Sequence, residues 1–152
     1  PAGAGYAFLG PLIGSLVRFA WGPLCDRFGG ALWTLVSGVG MAVTLGWAAL
    51  FLDPTHPDQF PVFLTAMLLM FFFTGVGNAG TFKQMPMIMP RRQAGGAIGF
   101  TAAVASLGPF IVGVALSSMD ASLWFWLCAA YCLACAAICW FRYARPGAPF
   151  PG

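Results

Sequence analysis

Five runs of apolar residues, each about twenty long and separated by short connections, constrain this chain more than any other feature. They extend from about Tyr6 to Leu24, Leu32 to Leu52, Pro61 to Met89, Ala94 to Leu116 and Leu123 to Tyr143. A helix of about 20 apolar residues crosses the hydrocarbon core of a bilayer, and in lipid only helices and closed barrels satisfy their own backbone polar groups. The charge content points the same way: 7% of the residues are charged and Glu is absent, against about 25% in soluble domains. So few charges cannot cover the surface of a water-soluble domain. The expected fold is an all-α membrane protein of five transmembrane helices in the lipid bilayer.

The formal net charge of +3 raises the question of a nucleic-acid partner. The basic residues form no patch and no nucleic-acid-binding motif occurs, so none is expected. Pro1–Gly5 lacks the charged start of a signal peptide and runs straight into the first apolar run, so no cleavable leader is expected and the chain opens as if continuing a longer protein. Residues 146–152, rich in Pro and Gly, are expected to form a flexible tail after a transmembrane region of residues 1–145.

The loop charges set an orientation. Arg27 follows the first run, Arg91 and Arg92 lie between the third and fourth, and Arg142 and Arg145 follow the fifth, whereas the opposite loops hold Asp53, Asp58 and Asp120 and no cation. Cytoplasmic loops carry the excess of Lys and Arg. The chain is therefore expected to begin outside, cross the cytoplasmic (inner) membrane five times and end with a cytoplasmic C-terminus.

Two cations fall inside the apolar runs, Arg18 and Lys83. Counted as 8 or 9 residues from the cytoplasmic end, each lies about 12 to 14 Å deep. A charge in the bilayer costs at least ~2.5 kcal/mol, so such residues face a cavity or a partner. No Asp or Glu of the chain is expected at their depth. Arg18 then either receives a mobile anion, pairs with a carboxylate on helices outside this chain, or snorkels outward. Lys83, with its flexible stem, also has the option of reaching toward the cytoplasm.

Helix-period positions on the third run place Asn78, Thr81, Phe82 and Met85 on one face, where an amide, a hydroxyl and a ring suit a planar anion. Phe82 and Met85 are equally ordinary packing residues, whereas Asn78 in an apolar helix is more telling, its alternative being a bond to a neighbouring helix. On the fourth run Gly95, Gly99, Ala102, Ser106, Pro109 and Gly113 form a stripe of small residues. Such a stripe allows close helix packing and narrows a pore to small substrates. Gly75, Gly77, Gly80 and Pro86 make the third run a candidate bending element.

The first run ends in Gly22-Pro23-Leu24-Cys25-Asp26-Arg27-Phe28-Gly29-Gly30, which resembles the Gly-x-Leu-x-Asp-Arg-x-Gly loop of the major facilitator superfamily. Gly22, Leu24, Asp26, Arg27 and Gly29 carry the match. Ala31, Leu32 and Trp33 replace the basic residues often found next, which implies a weaker interhelix charge clamp. The runs Gly75-Val76-Gly77-Asn78-Ala79-Gly80-Thr81-Phe82-Lys83-Gln84-Met85-Pro86 and Gly95-Gly96-Ala97-Ile98-Gly99-Phe100-Thr101-Ala102-Ala103 are similar to the C-terminal half of nitrate/nitrite porters within that superfamily. This resemblance implies that the five helices correspond to helices 8–12 of a twelve-helix transporter, with one anion site between its two halves and the N-terminal half as partner. The implied substrate-binding residues are Arg18, Asn78, Thr81, Phe82, Gly99 and Ser106, with Lys83 and Met85 as further candidates.

Cys128, Cys132, Cys135 and Cys139 share one face of the fifth run. Strung along ~16 Å of helix, four thiolates cannot close a tetrahedron around one ion, and they are expected to be packing residues, like Cys25. His56 is expected to be a solvated loop residue. No metal or cofactor is expected. No nucleophile–base pair or nucleotide-binding loop occurs, so no enzyme is expected either. The expected function is secondary active transport of nitrate or nitrite by alternating access, as nitrate/nitrite antiport or proton-coupled nitrate uptake. The competing readings are a carrier for another small anion such as a short carboxylate, and a helix-packing fragment without transport of its own.

Overall fold

The computed structural model describes residues 2–52 and 57–149. Among these the chain is helical with no strand, and five helical segments are long and apolar enough to cross a membrane: 4–28, 30–50, 60–88, 91–118 and 121–144. The elements are α1 (Ala2–Tyr6), α2 (Leu9–Phe28), α3 (Gly30–Leu50), a 3₁₀ turn (Pro57–Gln59), α4 (Phe60–Ile88), α5 (Arg91–Ala105), α6 (Gly108–Ser118), α7 (Ala121–Cys139) and a terminal π-helical turn (Trp140–Ala144). Asp53 and His56, assigned above to an outer loop, lie outside the described residues.

Proline and glycine set the boundaries. Pro61 and Pro109 occupy the first turns of α4 and α6, where a missing N–H breaks no helical bond. Asp120 caps α7 by accepting from the Leu123 amide at 3.3 Å, an N-cap of the preferred type. The first span continues beyond Leu24 to Phe28, and Gly29 alone separates α2 from α3. Its φ of 87° is a conformation that side chains with a Cβ resist. The motif expected to form a loop is thus mostly the last two turns of α2. The fourth span is broken at Ser106-Leu107 between α5 and α6.

Hydroxyls in the spans donate back to their own helices, as in Thr44 to Gly40 O at 2.9 Å, Thr65 to Pro61 O at 2.8 Å and Thr74 to Met70 O at 2.9 Å. Such bonds let polar side chains sit in an apolar medium without a partner helix.

The packed body is made by α2, α3, α4 and α7. Helix α3 lies along both α4 and α7, and α2 lies along α4. The buried positions are small, among them Ala31, Ser37, Gly38, Ala42, Ala48, Ala66 and Ala79. Between membrane helices close van der Waals approach replaces the hydrophobic drive, and small residues permit it. At the α3–α4 crossing a Cβ on Gly30 would strike Gly80 O and the Gln84 amide. By contrast the 91–118 span contributes only Ala94 to the buried set.

Candidate functional site

Arg18 on α2 and Phe82 on α4 meet across the groove between these helices, with the guanidinium carbon 5.0 Å from the ring centroid. A cation over an aromatic face is held by the ring quadrupole. Among the described residues no carboxylate lies within ion-pair distance of Arg18.

Taking the Phe28 end of α2 as inner, Arg18 stands between two openings in the groove. The outer one, about 210 Å³, has Ser15, Thr74 and Asn78 beside Arg18, with Phe71 at its wall. The inner one, about 180 Å³, is lined by Arg18, Gly22, Ala79, Phe82 and Lys83. A third cavity of about 340 Å³ lies on the other side of α4, bordered by Thr34, Ser37, Thr81 and Tyr131 and reached by Thr101 of α5. Asn78 and Phe82 border it as well, so Asn78 faces both the outer groove and this cavity. Its Oδ1 is buried without a hydrogen-bond partner among the described residues. Leaving such a group unsatisfied costs about 1–3 kcal/mol. Rotating the amide by a half turn presents its NH₂ at the same point, so the position serves either a donor or an acceptor.

The two intramembrane cations differ more than their sequence positions indicate. With α2 running to Phe28 and α4 ending at Ile88, Arg18 lies almost three turns from its helix end and Lys83 little more than one, about 15 Å against about 8 Å. Lys83 is also not without a carboxylate: its Nζ donates to Asp26 Oδ1 at 2.7 Å. The expectation that no acidic residue reaches it is corrected here. The long lysine stem spans the difference in level, and the extension of α2 to Phe28 brings Asp26 beside α4. Asp26 thereby ties α2 to α4, so a clamp exists although Ala31, Leu32 and Trp33 carry no charge.

The other expected site residues separate. Thr81 turns toward α3, 3.5 Å from Thr34 Oγ1, and lines the large cavity rather than the Arg18 groove. Met85 is half-buried one turn beyond it. Gly99 and Ser106 are exposed on α5 and at its end, with open space where a Gly99 Cβ would stand, and the Ser106 hydroxyl donates to Ala103 O at 2.6 Å. Ser15 and Thr74 were not singled out from the sequence. Their signal was present, since Ser15 precedes Arg18 by three residues and Thr74 precedes Asn78 by four, one helical turn each. Of the loop motif, Gly22 lines the inner opening and Leu24 O accepts from Trp33 Nε1 at 3.2 Å. Arg27 is exposed in the last turn of α2. The described cysteines are free thiols, and Cys139 donates to Ala31 O at 3.3 Å.

A family model of the Major Facilitator Superfamily matches residues 2–152. The chain belongs to the major facilitator superfamily. Members of this superfamily are transporters, and the five apolar spans make the chain a multi-pass membrane protein. It is 62% identical over 106 residues to the probable nitrate/nitrite antiporter NarK2 of Thermus thermophilus, an alignment covering 70% of this chain and 24% of that protein. It is 27% identical over 171 residues to the nitrate/nitrite transporter NarU of Salmonella typhimurium and 25% identical over 171 residues to NarU of Escherichia coli, covering 91% of this chain and 36% of each relative. The chain thus spans between a quarter and about a third of the length of these curated relatives. The segment that closes α2, which resembles the superfamily's loop motif, carries Asp26, the acidic partner of Lys83 on α4.

Proposed function

We propose that this chain is the C-terminal part of a carrier that moves nitrate and nitrite across the cytoplasmic membrane by alternating access, with its other half supplied by the remainder of the transporter. The observation that carries this reading is Arg18, a cation lining the α2–α4 groove without a carboxylate beside it among the described residues, backed by Phe82 at 5.0 Å and flanked by Asn78. A guanidinium presents parallel N–H donors to two oxygens at once, which matches a planar oxyanion. Phe82 holds the head group by its face and leaves the N–H edge to the anion. Asn78 supplies a further donor from α4, so the bound anion bridges the two helices.

Exchange of one monovalent anion for another is the transport mode that fits best. It keeps the Arg18 charge compensated through the cycle, with no titratable carboxylate beside it among the described residues. The names of the relatives, nitrate/nitrite antiporter and nitrate/nitrite transporter, support the substrate class. The remainder of the carrier also covers the bare side of α5 and α6, which no described element occupies.

The deciding experiment uses the full-length transporter in proteoliposomes loaded with nitrite. External nitrate is expected to drive nitrite efflux, and formate at equal concentration is not. Equal efflux with formate would replace this reading by a general small-carboxylate carrier, and no efflux with either would remove the exchange mode. The orientation, with the C-terminus cytoplasmic, is tested by single cysteines in a background without native ones. Labelling at Asp120 from outside and at Arg91 only after permeabilisation is expected, and the reverse pattern overturns it.

A further inference from the structure

The inner opening of the α2–α4 groove is lined by two cations, Arg18 and, nearer its helix end, Lys83, together with the Phe82 ring. Lys83 has three N–H donors, and one of them is directed at Asp26 Oδ1 at 2.7 Å. Lys83 also lines the opening. Both side chains of the pair remain well exposed, at 46% for Lys83 and 60% for Asp26. Ion pairs so open to solvent are weak, because water and counter-ions compete with each partner. The cavity with its cap therefore holds two cations against one carboxylate, and that carboxylate is replaceable.

We propose that Lys83 forms a second, inner anion station, at which an anion leaving Arg18 exchanges with the Asp26 carboxylate for the Lys83 ammonium before release to the Asp26 face of the membrane. The inference rests on the anion-carrier reading above and extends it to the order of events. Asp26 is the resident anion of an empty station. It keeps Lys83 compensated when no substrate is present and swings away when one arrives. The carboxylate also speeds release, because it returns to Lys83 as the substrate leaves. No covalent change is involved; one charge-assisted hydrogen bond replaces another.

A tie and a station are distinguished by the sign of two substitutions. If Asp26–Lys83 merely fastens α2 to α4, Lys83→Gln and Asp26→Asn both break it and act in the same direction. If Lys83 is a station with Asp26 as competitor, they act in opposite directions. Full-length transporter in sided membrane vesicles gives the half-saturating nitrate concentration at each face. At the Asp26 face, Lys83→Gln is expected to raise it by about 2- to 5-fold and Asp26→Asn to lower it by about 2- to 5-fold, the range set by an exposed pair. The double variant is expected to match Lys83→Gln, and Lys83→Arg to stay near wild type. At the opposite face all four are expected to stay within about 1.5-fold of wild type, below the smallest shift expected at the Asp26 face. Same-sign shifts of the two single variants, or equal shifts at both faces, overturn the inner station while leaving nitrate saturation intact. Absence of saturable nitrate transport in the wild type overturns the carrier reading itself, and the station with it.

Discussion

Helix α4 and the α5–α6 span both carry glycines at helical spacing, yet they meet opposite surroundings. On α4 the glycines are points of contact: a Cβ at Gly75 would come within 2.6 Å of Gly14 O, and one at Gly80 within 2.9 Å of Gly30 O. On α5 and α6 a Cβ at Gly95, Gly99 or Gly113 would meet nothing within 4 Å. A small-residue stripe marks a face prepared for close approach, and only α4 finds its partners among the described helices. The groove that holds Arg18 is built where that approach is complete, because α2 pressed against α4 fixes the guanidinium over Phe82. Gly99 and Ser106 belong to the bare face, and any role for them in anion binding requires the remainder of the carrier.

The largest effect expected on this contrast comes from Arg18→Lys in the full transporter. Lysine keeps the charge and removes the planar fork, along with the flat cation that rests on Phe82. Loss of a charge-assisted contact worth ~1.5 to 3 kcal/mol corresponds to a 10- to 100-fold fall in nitrate affinity, with membrane insertion little changed. Nitrate titration of purified wild-type and variant protein measures it, and equal affinities would reduce Arg18 to a steering charge.

A second prediction sets the two glycine faces against each other. Gly30→Ala places a methyl group against Gly80 O and the Gln84 backbone, and the crossing has to open to admit it. Overpacking of this kind costs about 1–3 kcal/mol. Gly99→Ala enters open space in this part of the chain and gains helix propensity of up to ~1 kcal/mol. Thermal unfolding in detergent is expected to show Gly30→Ala lowered and Gly99→Ala unchanged or raised. If Gly99→Ala also leaves the full transporter less stable, its stripe is a packing face whose partner lies in the other half.

How much of this was legible beforehand depends on the kind of information. The five spans were legible because bilayer thickness acts on segment length and polarity, which sequence states directly. Their ends were less so: α2 runs four residues past Leu24 to Phe28 because Asp26 and Arg27, read as loop charges, fit the last turn of a helix whose end projects toward water. Arg18 and Asn78 stood out because polar groups in apolar runs are costly. The Lys83–Asp26 pair did not, since it joins residues 57 apart in sequence and depends on how α2 and α4 slide past each other. The absence of Thr81 from the Arg18 groove was hidden for a related reason. Adjacent helical positions differ by about 100°, and only the placement of α2 and α3 around α4 decides which one faces the groove.

Asn78 joins the two sides of α4, and its substitution is expected to be of intermediate size. Asn78→Ala removes a single neutral donor to the anion, worth about 1 kcal/mol or roughly a 5-fold loss of nitrate affinity. It also removes an unpaired buried Oδ1, so stability is expected to hold or rise slightly. Affinity and unfolding temperature moving in opposite directions would mark Asn78 as a residue kept for binding. A loss of both would return it to an ordinary interhelical bond.

The smallest expected effect is at Thr81, and it tests whether the Arg18 groove and the large cavity behind α4 are separate. Thr81 lines the cavity with Thr34 and Ser37, and its hydroxyl lies 3.5 Å from Thr34 Oγ1, at the outer limit of hydrogen bonding. Thr34 already donates to Gly30 O at 2.8 Å, so removing the Thr81 hydroxyl strands no buried donor there. Thr81→Val keeps the shape of the side chain and its preferred rotamers. If the anion stays in the groove between α2 and α4, nitrate affinity should change by less than about 2-fold, below the contribution of a full hydrogen bond. If the anion instead passes behind α4 during transport, the valine variant should bind nitrate normally yet turn over more slowly, because the hydroxyl would then act on a transient state. A fall in equilibrium affinity comparable with that of Asn78→Ala would place Thr81 among the ligands and would require α4 to rotate relative to α2 when the anion binds.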